Sequence, residues 1–279
     1  MKNFIIRLFT AIAIVATQVL CTYLSPYSLA GLFLLLTVLA VNEFLKILSH
    51  DGQVRVSRPL MVVGSCYLFF AFWLNSLTSF SMLVLFVPYL LFLLFCYIRE
   101  LFSEHANPMA NLGAMMLSQT YVVLPLSLVN LLAFSHYDCF SASAPFYAIP
   151  LTLYVFIWLN DTGAYLSGTL FGKHRLYPRI SPKKSWEGSI GGALLTMISA
   201  IVIARLCPFL SMWEWVGMAL VVVVFGTLGD LTESMIKRHL GIKDSGRILP
   251  GHGGILDRLD SMLFAIPAVV VYLYVLSLW

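Results

Sequence analysis

The chain has 279 residues, of which 60% are hydrophobic and 11% are charged. Soluble domains carry about 25% charged residues, so this composition excludes an ordinary water-soluble enzyme. The net charge of +4 says little alone, and we expect no nucleic-acid partner. Apolar runs of about 20 residues, enough to cross a bilayer, recur along the chain. The composition therefore predicts an all-α, polytopic transmembrane helical bundle in contact with membrane lipids.

The apolar runs predict nine membrane spans. The sequence before Cys21 lacks the small residue that signal-peptide cleavage requires, so we expect the first span to be uncleaved. The predicted spans cover residues 8–24, 28–48, 60–77, 81–98, 109–133, 147–170, 188–207, 213–233 and 260–278.

The basic residues predict how the spans are oriented. With a cytoplasmic N-terminus, all of the 17 Lys and Arg residues except Arg205 fall on the inner side. Cytoplasmic loops carry the excess of Lys and Arg, so we expect the N-terminus inside and the C-terminus outside. Residues 1–150 form the predicted N-terminal helices, whose part in lipid contact or oligomerisation stays open. Residues 151–279 contain the glycine-rich and charged segments, so we expect this half of the chain to carry the function, with loops that face the cytoplasm.

Two polar residues interrupt the sixth predicted span. Asn160 and Asp161 lie inside an otherwise uncharged stretch, residues 145–172. An ionisable side chain at that depth requires a buried partner or a wet cavity. We predict a polar cavity shared with the helix of Asp230, where Asp161 binds substrate, orients a ligand or touches a metal.

A basic loop precedes the seventh predicted span. Lys183 and Lys184 are followed by Ser185 and Glu187 at a predicted helix start. Adjacent cations at a helix N-terminus predict a phosphate clamp, and positive-inside anchoring is the alternative. The next three glycines predict a close approach of neighbouring helices. These glycines are Gly188, Gly191 and Gly192.

The eighth predicted span ends in three ionisable residues on one helix face. Asp230, Glu233 and Lys237 follow i, i+3, i+7 spacing, and Asp230 follows a charge-free run at 215–229. An ionisable residue at that depth indicates a functional site. The alternative is an internal ion pair between one of the acids and Lys237.

A glycine-rich segment opens the ninth predicted span. Consecutive glycines before a helix N-terminus predict converging N–H groups that bind an anion, here at Gly253 and Gly254. We expect His252 to donate a hydrogen bond there. Asp257 and Asp260 lie three apart in the first turn. The alternative is a flexible loop whose acids complement the helix dipole.

Asp230 and Asp257 lie on different helices joined by a loop, so both carboxylates can converge on one cation. Mg²⁺ takes one or two protein carboxylates and completes its octahedron with water and phosphate oxygens. Two oxygen ligands flanked by basic residues suit a nucleotide triphosphate site better than a zinc site. Each basic residue alone could instead set the membrane topology or bind lipid head groups. These cations are Lys237, Arg238, Lys243 and Arg258.

Residues 234–260 resemble the signature of the CDP-diacylglycerol synthase (phosphatidate cytidylyltransferase) family. The signature has the form S-x-apolar-K-R-x4-K-D-x-small-x2-apolar-P-x-H-G-G-apolar-x-D-R-apolar-D, and the chain satisfies every position. Segments 160–165, 181–188 and 229–234 also look like that family's. The resemblance covers about residues 155–265.

The resemblance implies the Mg²⁺-dependent reaction of CTP with phosphatidate to give CDP-diacylglycerol and pyrophosphate. It implies a homodimeric enzyme of the bacterial inner membrane with a cytoplasm-facing site, in which Asp230 and Asp257 bind metal. In some members a monovalent cation such as K⁺ assists. The expected catalytic residues are Asp161, Asp230, Lys237 and Asp257. The expected substrate-binding residues are Asn160, Lys183, Lys184, Ser185, Glu187, Arg238, Lys243, His252, Gly253, Gly254, Arg258 and Asp260.

Two other functions stay open at this point. A CTP-dependent kinase of polyisoprenol or phytol would release CDP instead of pyrophosphate. An ion-coupled transporter would use Asp161 and Asp230 to carry protons or cations, but it leaves the basic and glycine-rich loops unexplained. A CDP-alcohol phosphatidyltransferase is disfavoured, because the chain has no D-G-x2-A-R motif.

Overall fold

Long helices and one short hairpin make up the computed structural model, which describes residues 2–50, 52–78, 80–134, 145–246, 248–249 and 253–278. The helices are α1 Lys2–Leu24, α2 Pro26–Leu48, α3 Arg58–Leu77, α4 Met82–Leu101, α5 Pro108–Leu117, α6 Leu124–Ser127, α7 Val129–Phe134, α8 Ala148–Phe171, α9 Trp186–Leu206, α10 Met212–His239 and α11 Leu256–Leu276. A π-helical segment, π1 Ser118–Val123, joins α5 to α6, and the strands are β1 Arg175–Tyr177 and β2 Ser181–Ser185.

The predicted transmembrane helical fold is confirmed. Within the described residues, seven helical stretches are long and apolar enough to cross a membrane. Two further predicted spans correspond to α1, with its apolar stretch Leu8–Leu24, and to α8, which carries Asn160 and Asp161. The protein is therefore an integral membrane protein. The total of nine spans and the orientation of the termini stay predictions. The seven stretches are Pro26–Leu48, Arg58–Leu77, Met82–Leu101, Pro108–Phe134, Trp186–Leu206, Met212–His239 and Leu256–Leu276.

Local sequence signals determine where several helices begin. Before α2, the Ser25 hydroxyl accepts a hydrogen bond from Tyr27 N at 3.2 Å, and proline occupies the first helical position. Before α10, Ser211 and Glu214 form a reciprocal capping box. These side chains satisfy backbone N–H groups that have no partner inside the helix. The turns between spans are thus encoded by a few adjacent residues.

The chain divides into two compact units. The first unit comprises Met1–Ser135 and Asp244–Arg258, and the second comprises His136–Lys243 and Leu259–Trp279. Residues 244–258 therefore belong to the first unit, although they follow α10 of the second unit in sequence. The functional roles assigned to residues 1–150 and 151–279 stay predictions.

In the first unit, α2 packs against α3 and π1. The rings of Phe44 and Tyr121 have centroids 5.6 Å apart in this core. Side-chain hydrogen bonds also join helices of this unit, since Gln119 donates to Ser65 Oγ at 3.1 Å and accepts from Tyr89 at 3.0 Å. Lipid cannot satisfy such groups, so helices in membranes are joined by packing and by bonds of this kind.

In the second unit, α8 and α9 approach each other closely, as the glycine pattern predicted. A Cβ atom added to Gly163 would lie 2.9 Å from Gly192 Cα, and one added to Gly188 would lie 2.8 Å from Ala164 O. Helix α11 also lies close to α10, because a Cβ atom on Gly229 would lie 2.5 Å from Asp260 O. Small residues therefore bring the polar faces of these helices together.

The loop before α9 contains an antiparallel hairpin of β1 and β2, which the sequence did not predict. Arg175 pairs with Ser185, and Tyr177 pairs with Ser181. Strands of three and five residues that include Pro182 are too short and too polar for strand periodicity to be recognised. The hairpin ends at Ser185, immediately before α9.

Candidate active site

The second unit contains a cavity of about 420 Å³. Ligand sites commonly measure roughly 300–1,000 Å³, so this volume suits a small ligand or part of a larger one. Asp161 and Asp230 both line it, which confirms the predicted polar cavity. Its lining residues are Asn160, Asp161, Ala164, Tyr165, Gly168, Thr169, Lys183, Lys184, Ser185, Gly188, Ser189, Thr227, Asp230 and Ser261.

An ion pair joins the hairpin to α10 at this cavity. The ammonium group of Lys184 contacts the carboxylate of Asp230, and the two side chains are 27% and 29% exposed. Lys183, its neighbour on β2, is exposed and also lines the cavity. The site therefore presents one cation that is already paired and a second that is exposed. Both the paired lysine and the exposed lysine are available to a phosphate that enters the cavity.

Three carboxylates of the second unit interact electrostatically. Asp260 on α11 lies within the electrostatic influence of Asp230 on α10 and Asp161 on α8. Lys237 supplies an opposing positive charge. Like charges in a partly buried site repel unless a cation offsets them. Together with the two lysines of β2, these three acids and Lys237 make the region suitable for a cation bound together with anionic phosphates.

The donor chemistry of these residues fits Mg²⁺. Among the side chains that the structure describes, no three His, Cys, Asp or Glu groups are arranged to hold one metal ion. Mg²⁺ needs only one or two protein carboxylates, because water and phosphate oxygens complete its shell. Asp230 already holds a cationic group, the Lys184 ammonium. A metal pair of Asp230 and Asp257 stays a prediction.

Lys237 forms an ion pair with Glu233, one of the two outcomes that the sequence left open. Their charged atoms lie 2.5 Å apart, and the side chains are 13% and 1% exposed. This pair offsets the charge of the buried Glu233 carboxylate inside α10. A catalytic role for Lys237 in addition to this pairing stays a prediction.

Ser185 and Glu187 hold the hairpin against the start of α9. The Ser185 hydroxyl accepts from Gly188 N at 3.2 Å and caps the helix. The Glu187 carboxylate accepts from His174 N at 3.2 Å and lies 2.6 Å from His174 Nδ1. These contacts fix the strand that carries both lysines of the cavity. Direct substrate contact by either residue stays a prediction.

Arg238 and Lys243 lie at the end of α10 and just beyond it. The Arg238 guanidinium donates to Ile180 O at 3.5 Å and to Ile242 O at 3.4 Å, so it ties the hairpin turn to this helix end. Lys243 is exposed. Both cations belong to the second unit, and their contact with substrate stays a prediction.

Asn160 lies where α8 packs closely against α9. Its side chain is buried, and a Cβ atom on Gly192 would lie 2.6 Å from its Oδ1 atom. Within the described part of the chain this oxygen accepts no hydrogen bond, although the residue lines the cavity. An unsatisfied buried oxygen beside a cavity indicates a position for a ligand or water donor.

In the first unit, backbone amides hold the Asp257 carboxylate. Gly254 N donates to it at 2.8 Å, and Ser245 N lies 3.1 Å from one of its oxygens. Gly253 adopts a φ of +83°, which favours glycine, and a Cβ atom there would lie 2.6 Å from Asp257 Oδ2. The loop geometry therefore fixes this carboxylate at the start of α11. Arg258 is exposed.

Glu43 on α2 was not predicted to belong to the site. Its carboxylate accepts hydrogen bonds from Ile255 N at 3.1 Å and Leu256 N at 3.0 Å. The N–H groups that converge here therefore belong to Ile255 and Leu256, and the anion that they bind is a protein carboxylate. Phosphate binding by Gly253 and Gly254 stays a prediction, and His252 lies outside the described residues. The sequence feature that could have identified Glu43 is the position of an acid near the end of an apolar span.

Comparison with known proteins assigns the chain to a family. A model of the cytidylyltransferase family matches residues 5–276. The phosphatidate cytidylyltransferase of Staphylococcus aureus (strain COL) is 50% identical over 124 residues, 44% of this chain and 48% of that protein. The Staphylococcus haemolyticus (strain JCSC1435) protein of the same name is 52% identical over 124 residues, 43% of this chain and 48% of its own. The chain thus spans about half the length of the curated relatives it matches. Since the family model covers nearly the whole chain, the protein belongs to the cytidylyltransferase family.

Proposed function

We propose that this protein transfers CMP from CTP to phosphatidate, giving CDP-diacylglycerol and pyrophosphate. The names of the staphylococcal relatives and the family match support this activity. The single observation that carries it is the Lys184–Asp230 ion pair at a cavity that Asp161 and Lys183 also line. Paired and exposed charges of both signs suit a ligand that carries phosphates and a cation.

The reaction is a direct displacement at phosphorus. A phosphate oxygen of phosphatidate attacks the α-phosphorus of CTP and forms a new P–O bond. The bond from the α-phosphorus to the oxygen that bridges it to the β-phosphate breaks, and pyrophosphate leaves with that electron pair. Because the attacking oxygen is already anionic, the protein needs no strong general base. Catalysis then consists mainly of positioning and charge neutralisation.

The lysines of β2 neutralise the phosphates in this proposal. Lys183 is exposed at the cavity, and Lys184 exchanges part of its contact with Asp230 for a contact with an incoming phosphate. Asn160 and Asp161 orient the substrate from α8. Lys237, whose charge also acts on Asp260, adds positive potential from α10. The remaining proposed substrate contacts are Ser185, Glu187, Arg238, Lys243, His252, Gly253, Gly254, Arg258 and Asp260.

We propose that Asp230 and Asp257 are the protein ligands of Mg²⁺. The support is their carboxylate chemistry, the signature that contains Asp257, and the cation already paired with Asp230. When bound, Mg²⁺ offsets the charge of the phosphates and of the leaving pyrophosphate. K⁺ is the second cation that the family resemblance suggests.

We also propose that the enzyme is a homodimer in a bacterial inner membrane, with its site facing the cytoplasm. The distribution of Lys and Arg along the chain supports that orientation. The diacyl chains of phosphatidate remain in the bilayer while its phosphate reaches the cavity. A membrane-embedded catalyst avoids extracting this lipid into water, which would expose its acyl chains.

Product analysis with the purified full chain tests the activity. The protein in detergent is incubated with CTP and Mg²⁺, with and without phosphatidate, and released pyrophosphate and CDP are quantified. We expect pyrophosphate release that requires phosphatidate and no CDP. CDP release with a polyisoprenol or phytol acceptor would instead favour a kinase. Absence of phosphatidate-dependent pyrophosphate would contradict the proposal.

A further inference from the structure

A buried carboxylate on α2 holds the loop that carries Asp257. Glu43 is 4% exposed and lies in an apolar helix, where an ionisable group needs partners. Besides Ile255 N and Leu256 N, it accepts from Ser245 Oγ at 2.5 Å. Because all of these residues belong to the first unit, their arrangement is defined within one compact body.

The loop is shaped around the Glu43 carboxylate. A Cβ atom on Gly246 would lie 2.5 Å from Glu43 Oε2, and one on Gly254 would overlap Glu43 Oε1. Two glycines of the loop are therefore required by the carboxylate that they surround. The signature glycine at 254 leaves room for a side chain of the protein.

Ser245 connects Glu43 to Asp257. Its hydroxyl donates to Glu43, while its backbone N–H donates to the Asp257 carboxylate. Gly254, whose amide also donates to Asp257, directly precedes Ile255, whose amide donates to Glu43. Movement of the Glu43 carboxylate would therefore shift both amides that hold Asp257.

We propose that Glu43 is a positioning residue for Asp257, which it orients through Ser245 and the amides at the start of α11. This inference rests on the proposed function in one respect, the metal-binding role of Asp257. It assigns a function to the N-terminal half of the chain, which supplies the anchor of the signature loop. Partners that orient a metal ligand affect metal affinity or activity roughly 10- to 100-fold.

Hydrogen exchange measures how firmly Glu43 holds the amides at the start of α11, and it does not require enzymatic activity. In the intact protein in detergent, we expect Glu43→Gln to raise the exchange rates of the Ile255 and Leu256 amides roughly tenfold or more. The glutamine side chain has one donor group, which cannot accept from an N–H at the same place. Unchanged exchange at both amides would overturn the proposal.

Metal dependence measures the positioning itself. We expect Glu43→Gln to raise the Mg²⁺ concentration for half-maximal activity roughly 10- to 100-fold, with a much smaller change in KM for CTP at saturating Mg²⁺. Ser245→Ala keeps the backbone amide and the Glu43 carboxylate, so we expect a smaller shift in the same direction. Faster amide exchange with an unchanged Mg²⁺ requirement would contradict a positioning role and leave the proposed function intact.

Glu100→Gln is the matched control. Glu100 is also 4% exposed and in the first unit, but it pairs with His105 at 3.1 Å and with Asn111 at 2.6 Å. We expect it to lower thermal stability without altering exchange at Ile255 and Leu256 or the Mg²⁺ requirement. Equal effects of both substitutions would reduce Glu43 to a general stabilising role. An inactive wild type would refute the proposed function, whereas the amide exchange would still decide whether Glu43 anchors the loop.

Discussion

Lys184 on the hairpin and Asp230 on α10 form an ion pair at the edge of a cavity in the second unit. The contact joins two segments that the sequence singled out separately, a basic loop and an acid at the end of an apolar helix. Each side chain keeps more than a quarter of its surface exposed, so an incoming ligand can reach both charges. Substitutions of Lys184 and Asp230 therefore test the role of this site directly.

Asp230→Asn is expected to lower kcat for pyrophosphate release by more than roughly 100-fold. Loss of a residue that only orients a metal ligand costs roughly 10- to 100-fold, and Asp230 is the proposed ligand itself. The substitution removes the proposed metal carboxylate and leaves Lys184 without its counter-charge. Steady-state kinetics on the purified variant, together with its elution from a gel-filtration column, provide the measurement. Glu214→Gln at the opposite end of the same helix is the control, and we expect it to retain activity. A residual rate near that of the wild type would remove Asp230 from the proposed mechanism.

Lys184→Met is expected to reduce kcat/KM for CTP more than Lys183→Met, because only Lys184 is paired with Asp230. Exposed ion pairs contribute about 0–1 kcal/mol, so neither substitution should unfold the protein. Thermal unfolding in detergent and initial-rate kinetics separate stability from activity. Equal losses for both variants would mean that the lysines act only as a diffuse positive charge.

Gly192→Ala is expected to destabilise the second unit by about 1–3 kcal/mol, the usual cost of overpacking. The new methyl group would lie 2.6 Å from Asn160 O and Oδ1, where α8 packs closely against α9. The apparent unfolding temperature provides the measurement. Gly113→Ala is the matched control, because a Cβ atom at this helical glycine meets no atom within 4 Å. Comparable unfolding temperatures for both variants would contradict the tight packing of α8 on α9.

Mg²⁺ removal is expected to abolish activity, and its addition together with CTP is expected to stabilise the folded protein. A ligand present at 100 times its Kd adds about 2.7 kcal/mol to stability. We expect EDTA to remove the rise in unfolding temperature and Asp257→Asn to weaken it strongly. An undiminished rise in unfolding temperature, both with EDTA and in the Asp257→Asn variant, would exclude Mg²⁺ as the bound cation.

Hydropathy and local signatures were sufficient to predict the fold class and the polar cavity. The helices follow apolar runs, and Asp161 and Asp230 are conspicuous because charge is costly inside such runs. Pairings between distant residues could not be predicted, since periodicity describes one element at a time. Glu43 contacts Ser245 across 202 residues, and no local pattern specifies that contact.

The hairpin and the carboxylate partners show the same limit at shorter range. Lys184 looked like a phosphate clamp, and its sequence neighbours give no sign that Asp230 is its partner. Glu187 is a predicted substrate contact, and the sequence gives no sign that it also accepts a hydrogen bond from His174 across the hairpin. The residue types predicted a charged site, and only the folded chain determines which charges are paired.

The position of the isotope in the lipid product tests cytidylyl transfer most directly. Purified protein is incubated with phosphatidate, Mg²⁺ and CTP labelled with ³²P at either the α- or the γ-phosphate, and the lipid is then extracted. Transfer of CMP places the α-label in the lipid and leaves the γ-label in water-soluble pyrophosphate. Recovery of the γ-label in the lipid, or of neither label, would contradict the proposed reaction.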